Sequence, residues 1–424
     1  MAEKLERLPG FRDFYPDACD LRNYVFDTWR RVAARYRFSE YEGPILEKTD
    51  LYRRKSGDEI TGQLFHFQDK GDRDVAMRPE LTPTLARMAA ARQRDFRKPM
   101  KWFSIGPFFR YERSSKGRLR EFYQCNCDIL GEASEQADAE LIAMAIDVML
   151  EFGFREGDFV IRLSDRGAWM DWLQAKGISG DAAILVLQAV DKLGREDEAK
   201  TIAQLQQAGT TLEDLRAFMA RTEDVSERAT AIHRNLAARG LAGFLEWDLG
   251  IVRGLAYYTG TVFEVFDIGK GMRAVAGGGR YDNLVKLIGG TDLAACGFAM
   301  GDVVIGNFID ETPHAKARLD EWLAARRSTD AFVVVGDEAH RDAALAAVQT
   351  LREAGLRVDY SMTPRAVGKQ FASAEEATAR FAVVFGSSFP ATTIKSMGDR
   401  TETECDQSSL PETLLSLLGR SPQT

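Results

Sequence analysis

The chain has 424 residues, 45% of them hydrophobic and 28% charged, which suits roughly two to four domains and a sizeable buried core. That composition excludes disorder, collagen and coiled coil, and no run of eighteen apolar residues is available to span a membrane. The formal net charge of -8 argues against a chain-wide nucleic-acid coat, while leaving room for a local basic patch.

Pro16-Asp17 signals a helix start, and Leu21, Tyr24, Val25, Trp29, Val32, Ala33 and Tyr36 then recur at helical spacing. Phe38 to Leu46 reads as a strand interrupted by Gly43-Pro44, and Phe65 to Met77 as a hairpin turning at Lys70-Gly71-Asp72. A second helix starts after Arg78-Pro79-Glu80. Trp102–Tyr111 and Phe122–Leu130 form the arms of a hairpin around the loop Ser114-Ser115-Lys116-Gly117. Residues 134–153 return to helix, and 165–238 are helical throughout, as in an inserted all-α module. Strand character resumes from Phe244 to Phe266, and the charged stretch Glu311–Asp330 reads as a connecting helix. Ala331–Val335, Leu356–Tyr360 and Phe381–Phe385 are strands, separated by helices over Ala339–Ala354 and Val367–Ala379. That alternation predicts a small α/β domain with a mostly parallel sheet.

The five cysteines are odd in number and scattered, as in a protein with reduced thiols. Cys125 and Cys127 would share a strand face, but no two further soft ligands stand nearby, so no zinc site is expected. The opening Met1-Ala2-Glu3-Lys4-Leu5-Glu6-Arg7 is too charged for a signal peptide, and the expected location is cytoplasmic.

Five segments carry chemistry. Arg110 to Arg120 holds five basic residues and one acid, a local +4 suited to gripping phosphates. On the next strand Gln124, Asn126 and Asp128 would share one face, which either lines a ligand cleft or meets water. Glycines around Arg253, Tyr257 and Tyr258 allow close approach to a ligand, and Gly277-Gly278-Gly279 either offers backbone N–H groups or marks a bulge or barrel corner. Glu80 either caps the helix it precedes or accepts hydrogen bonds from a ligand ammonium.

Together these segments resemble the class II aminoacyl-tRNA synthetases, and specifically the histidyl-tRNA synthetase family. Leu8-Pro9-Gly10-Phe11-Arg12-Asp13 looks like that family's N-terminus, and Gly43-Pro44-Ile45-Leu46-Glu47 resembles the dimer-forming first motif. Arg110–Arg120 with Phe122-Tyr123-Gln124 is similar to the second motif. The stretch from Arg253 to Glu264 and Gly277-Gly278-Gly279-Arg280-Tyr281-Asp282 resemble segments specific to the histidine enzymes.

The resemblance implies an α+β catalytic domain over 1–325, an antiparallel six-stranded sheet flanked by helices, with the helical insertion at 165–238. Residues 331–424 would be the anticodon-binding domain, and the protein a homodimer. Histidine would be activated with ATP and Mg²⁺ and passed to tRNA(His). Arg110 would hold the α-phosphate, with Glu112 near the adenine and Arg118 also binding ATP. Glu80, Leu81, Thr82, Gln124 and Asp128 would line the histidine site together with Arg110, the acids taking the ammonium group. Tyr257 and Tyr258 would border the imidazole, and Arg253 would stabilise charge as the carboxylate attacks.

Three positions depart from the family pattern. Val304 stands where the third motif normally carries an arginine on the adenine, Ala256 where aspartate is frequent, and Asp128 where glutamate is usual. These departures leave open a non-catalytic histidine-binding paralogue, such as a regulatory subunit of ATP phosphoribosyltransferase, or an enzyme for another amino acid. Residues 331–424 carry nine Lys/Arg against twelve Asp/Glu, a net of -3, so RNA binding there rests on a local patch such as Arg365, Lys369 and Lys395.

Overall fold

The fold is that of a computed structural model, which describes residues 5–56, 58–113, 115, 117–193, 197–221, 226–252 and 258–421. Helix α1 (Pro16–Arg35) has proline in its first turn and buries Tyr24, Val25, Trp29, Val32 and Ala33, the stripe its spacing predicts. After the short strand β1 (Ser39–Glu40) come β2 (Leu46–Lys48), α2 (Thr49–Ser56), β3 (His66–Gln68) and β4 (Asp74–Met77). These strands form a three-stranded antiparallel sheet in the order β2–β4–β3. Then follow α3 (Thr82–Arg92), the hairpin β5 (Met100–Phe109) and β6 (Glu121–Leu130), α4 (Glu135–Glu151) and β7 (Phe159–Asp165).

The helical insertion consists of α5 (Arg166–Ala175), α6 (Gly180–Lys192), α7 (Glu198–Gln207), α8 (Leu212–Met219) and α9 (Glu227–Ala238). Four of these start on a side chain that accepts a first-turn N–H: Asp165, Asp197, Thr211 and Ser226. The apolar faces of α5 to α8 meet in one core around Trp169, Leu173, Leu187, Leu205 and Phe218, whereas α9 packs against α4. The chain then returns to strands with β8 (Leu245–Trp247), β9 (Thr261–Asp267) and β10 (Ala276–Arg280). Helix α10 (Leu284–Leu287), β11 (Ala295–Gly301), α11 (Asp302–Asp310) and α12 (Pro313–Arg327) complete this part.

The central sheet corrects the expectation of six antiparallel strands. It has eight, in the order β1–β5–β6–β11–β10–β9–β7–β8. The six inner strands are antiparallel to their neighbours, and β1 and β8 add parallel edges of two and three residues. Both fall within stretches read as strand, Phe38–Leu46 and Phe244–Phe266, but strands that short carry no pattern that would mark them as parallel edges of this sheet.

Glycines at the middle of this sheet are required by crowding. A β-carbon on Gly278 would stand 2.3 Å from the Gly297 carbonyl oxygen and 2.5 Å from the Phe298 β-carbon. The Gly277–Gly279 run is regular strand backbone paired in continuous register on both sides, not the bulge or barrel corner of the sequence reading. G278A is expected to push two inner strands apart at a cost of about 3 kcal/mol. A thermal melt should show a Tm lower by roughly 5–10 °C; an unchanged Tm would mean the strands can separate freely.

The chain divides into two compact units, Met1–Leu319 and Asp320–Thr424, at a point within α12. The second unit contains β12 (Thr329–Val335), α13 (Arg341–Glu353), β13 (Val358–Tyr360), α14 (Val367–Glu376), β14 (Ala379–Phe385), β15 (Ala391–Ser396), β16 (Glu402–Asp406) and α15 (Leu410–Leu417). Its sheet runs β13–β12–β14–β15–β16. Here the expectation of a mostly parallel sheet needs correction too: β12 is parallel to β13 and β14, but the β15 and β16 pairings are antiparallel. Among the described residues no helix is long and apolar enough to cross a membrane.

Candidate active site

One cleft of about 860 Å³ opens over the central sheet within the first unit. Its floor is β6, β10 and β11, and its rims are the turn before α3, the base of the β5–β6 hairpin, and residues of the helical insertion such as Val190 and Met219. Gln124, Asn126 and Asp128 all line it, so the polar face of β6 serves a cleft. Glu80, Thr82, Arg110, Glu112, Arg118 and Tyr258 line it as well. Leu81 does not: it is buried, and its carbonyl accepts the first helical hydrogen bond of α3 from Leu85 N–H at 3.0 Å. Arg253, Ala256 and Tyr257 lie outside the described residues, as do Ser114 and Lys116 of the hairpin loop.

Asp128 is the deepest acid. Its strand partner on β11 is Gly297, where a β-carbon would stand 2.0 Å from a carboxylate oxygen. Glycine at 297 thus makes the space in which the Asp128 side chain lies. The hydroxyl of buried Tyr281 donates to that carboxylate. Burial pushes the Asp128 carboxyl up to about 7, with the tyrosine hydrogen bond pulling the other way. The same burial, with Asp128 beside it, raises the Tyr281 hydroxyl well above its ordinary value.

Glu80 sits at the opposite rim and pairs with Lys55. No side chain caps α3, so the capping alternative for Glu80 falls away. Lys55 is 4% exposed, and burial lowers its amine below the usual lysine range; Glu80 opposes that shift and Arg110 adds to it. The Arg110 guanidinium donates from Nε to the Pro79 carbonyl at 3.0 Å and lies 5.1 Å over the Phe122 ring. Across the hairpin loop Arg118 meets Glu112 at 2.6 Å, closing one wall. Arg78, fully buried, holds Glu42 at 2.6 Å and the Gly43 and Pro107 carbonyls at 2.9 Å, which fixes the turn that presents Glu80.

The N-terminal Leu8–Asp13 segment laces onto the same hairpin. Arg120 and Glu121 donate backbone N–H groups to the Gly10 carbonyl at 3.0 and 3.1 Å. Arg12 pairs with Asp302 at 2.8 Å, and Asp302 also accepts the Tyr123 backbone N–H at 2.8 Å. Arg280 is a clamp under the floor, bound to Asp138 at 2.7 Å and to Asp282 at 3.1 Å. Cys125 and Cys127 are buried on β6 with their sulfurs 3.6 Å apart, away from any group of metal-binding side chains among the described residues.

Sequence reasoning missed Lys55, Arg78 and the hydrogen bond of Tyr281. Lys55 lies in a run of charges, and its partner is 25 residues away; Tyr281 and Asp128 are 153 residues apart. Only the fold brings either pair together.

The family profile described as "Histidyl-tRNA synthetase" matches residues 10–302, and the one described as "Anticodon binding domain" matches residues 330–417. The histidine–tRNA ligase of Opitutus terrae is 43% identical over 94% of this chain and 95% of its own length. That of Natronomonas pharaonis is 39% identical over 95% of this chain and 96% of its own. The crystal structure of histidyl-tRNA synthetase from Nostoc sp. PCC 7120 superposes with a TM-score of 0.76 at 24% identity, covering 98% of this chain and 100% of that one, and so supports the fold.

Proposed function

The chain belongs to the histidyl-tRNA synthetase family, and on that premise we propose how its cleft divides the work of activating histidine with ATP and charging tRNA. In the first step a histidine carboxylate oxygen attacks the α-phosphorus. A P–O bond forms as the bond to the pyrophosphate oxygen breaks, and pyrophosphate leaves with the electron pair. In the second step a ribose hydroxyl at the tRNA 3′ end attacks the acyl carbon and gives up its proton, and AMP departs. Both steps need positioning and charge stabilisation more than acid–base groups.

Arg110 is assigned to the α-phosphate, its guanidinium oriented by the Pro79 carbonyl and the Phe122 ring. Arg253 is assigned beside it from the family motif. Glu80 stands on the segment that Arg110 grips, which suits the ammonium next to the reacting carboxylate. Asp128 lies four residues beyond Gln124 on β6, about 13 Å along a strand, so it suits the far end of the substrate. We therefore assign Asp128 to an imidazole N–H rather than to the ammonium, with Tyr258 and Tyr257 bordering the ring. The single observation that carries a histidine site is this buried carboxylate, held by Tyr281 at the end of the cleft remote from Arg110. Mg²⁺ enters with ATP as part of the substrate, held chiefly by phosphate oxygens with at most one or two carboxylates added.

A homodimer through the first motif is supported by Ile45, Leu46 and Phe67, exposed apolar side chains on or beside the three-stranded sheet. The cytoplasm is the place where this reaction is required. The non-catalytic paralogue has the anticodon-binding match at 330–417 against it. Aminoacylation decides between them: with ATP, histidine and tRNA(His) the protein should form histidyl-tRNA. Histidine binding without any histidyl-tRNA would favour the regulatory reading.

In the second unit Arg365 and Lys369 are exposed at the start of α14, whereas Lys395 is occupied by Glu402 at 2.9 Å. The buried Gln370 holds the start of α14 by accepting the Val335 N–H and donating to the Val335 and Arg365 carbonyls. K369E is expected to weaken tRNA binding about tenfold, equally for all tRNA sequences, as loss of a phosphate contact does. Filter binding at low salt checks this, and an unchanged affinity would exclude that face.

A further inference from the structure

Val304 stands where the family's third motif usually carries an arginine, and a different element of the same cleft brings an arginine side chain close to it. Val304 is in the first turn of α11, half-buried, and lines the cleft. Its Cγ2 lies 3.4 Å from the point where a β-carbon on Gly117 would stand, and Arg273 Cδ lies 3.8 Å from that same point. Gly117 has φ +77°, a conformation that favours glycine, so the hairpin tip keeps this spot open. Valine, arginine and the bare glycine backbone therefore converge at one corner of the cleft, next to Glu112 and Arg118.

Arg273 lies between β9 and β10, on a segment with a fixed course. The Asp267 carboxylate accepts the Met272 N–H at 2.7 Å, and Val275 N–H donates to the Val265 carbonyl at 2.8 Å. The Val275 carbonyl in turn accepts the Gly301 N–H at 3.4 Å, which ties the segment to the end of the third-motif strand. Arg118 stands at the same corner, paired with Glu112 at 2.6 Å, and Arg273 is the second arginine side chain whose stem lies beside Gly117 and Val304.

We propose that Arg273 packs its guanidinium on the adenine of ATP, performing from the β9–β10 connection the task that the third-motif position, Val304, does not. This rests on the reading of the cleft as the nucleotide site. A planar cation over a purine is a favourable contact, and a guanidinium suits it better than an ammonium. Small-to-large compensation follows from the geometry: an arginine at 304 would compete with Arg273 for the space above Gly117.

The test is calorimetric binding of ATP and of AMP to the full-length protein, its R273A variant and the R273A/V304R double variant, with ATP KM from pyrophosphate exchange alongside. R273A is expected to lose about tenfold in affinity for both nucleotides, within the range of a partly desolvated cation–π contact. The KM for histidine should stay within about twofold, and V304R should restore at least half of the lost binding. Because Arg273 is exposed, the fold should survive; R273Q gives the same comparison should R273A misfold. Unchanged affinity for both nucleotides overturns the proposal. A loss confined to ATP also overturns it, because Arg273 would then be touching phosphate and not the adenine. A parent protein that binds nucleotide but does not exchange pyrophosphate would sink the synthetase reading alone, and the Arg273 comparison would still decide; a parent that binds neither nucleotide overturns both.

Discussion

R110A should lower histidine-dependent ATP–pyrophosphate exchange by about 10²–10³-fold, the range seen when a preorganised group that stabilises developing charge is removed. Arg110 is held from two sides, by the Pro79 carbonyl at 3.0 Å and by the Phe122 ring at 5.1 Å, so its charge is in place before ATP arrives. The loss should fall mainly on kcat, because the negative charge on the α-phosphoryl oxygens grows toward the transition state. R110K keeps a positive charge but loses the planar fork, and should recover only part of the rate. A change confined to the ATP KM would mean that Arg110 binds ground-state nucleotide and does no more.

D128N should raise the KM for histidine by roughly 10–100-fold, the worth of one hydrogen bond to a charged partner. The pH dependence identifies the group. Burial places the Asp128 carboxyl at about 7, against the ordinary 3.8, so in the free protein it is largely protonated at pH 6 and ionised at pH 8. A charge-assisted hydrogen bond to histidine needs the ionised form. Histidine binding should accordingly tighten as pH rises through 7 in the parent and lose that component in D128N.

Stability moves in the opposite direction. A folded-state value raised above the unfolded one gives a contribution fully present below about pH 4 and lost as pH rises through 7. The Asp128 protein without histidine should therefore lose stability across that window, by a few kcal/mol. Thermal melts at pH 5 and pH 8, compared between parent and D128N, check this. If the difference between them does not change with pH, Asp128 does not titrate in that range.

Where a segment's own residues decide its structure, the sequence was enough. The β5–β6 hairpin, α1 and the helical insertion follow from alternation, a proline start and helical spacing, and their ends fall within a few residues of those expected. What escaped depends on packing between distant segments. The parallel edge pairings of β1 and β8 leave no mark in their short stretches, and the polar β15 and β16 lack the apolar run that marks β12 and β14. The candidate site divides in the same way. Arg110, Gln124 and Asp128 could be placed from strand periodicity and family motifs, whereas Lys55 behind Glu80, Tyr281 on Asp128 and Arg273 beside Val304 meet only in the folded chain. Gly297 is the plainest case: its purpose is to leave room for a carboxylate 169 positions earlier in the chain, which no local reading of Gly297-Phe298-Ala299-Met300 reveals.

The most direct test of the central claim is ATP–pyrophosphate exchange with the purified protein, run with histidine and with each of the other amino acids. Exchange that depends on histidine alone, and disappears in R253A, is the predicted result. Exchange driven by a different amino acid, or none with histidine at concentrations where histidine binds, would contradict it.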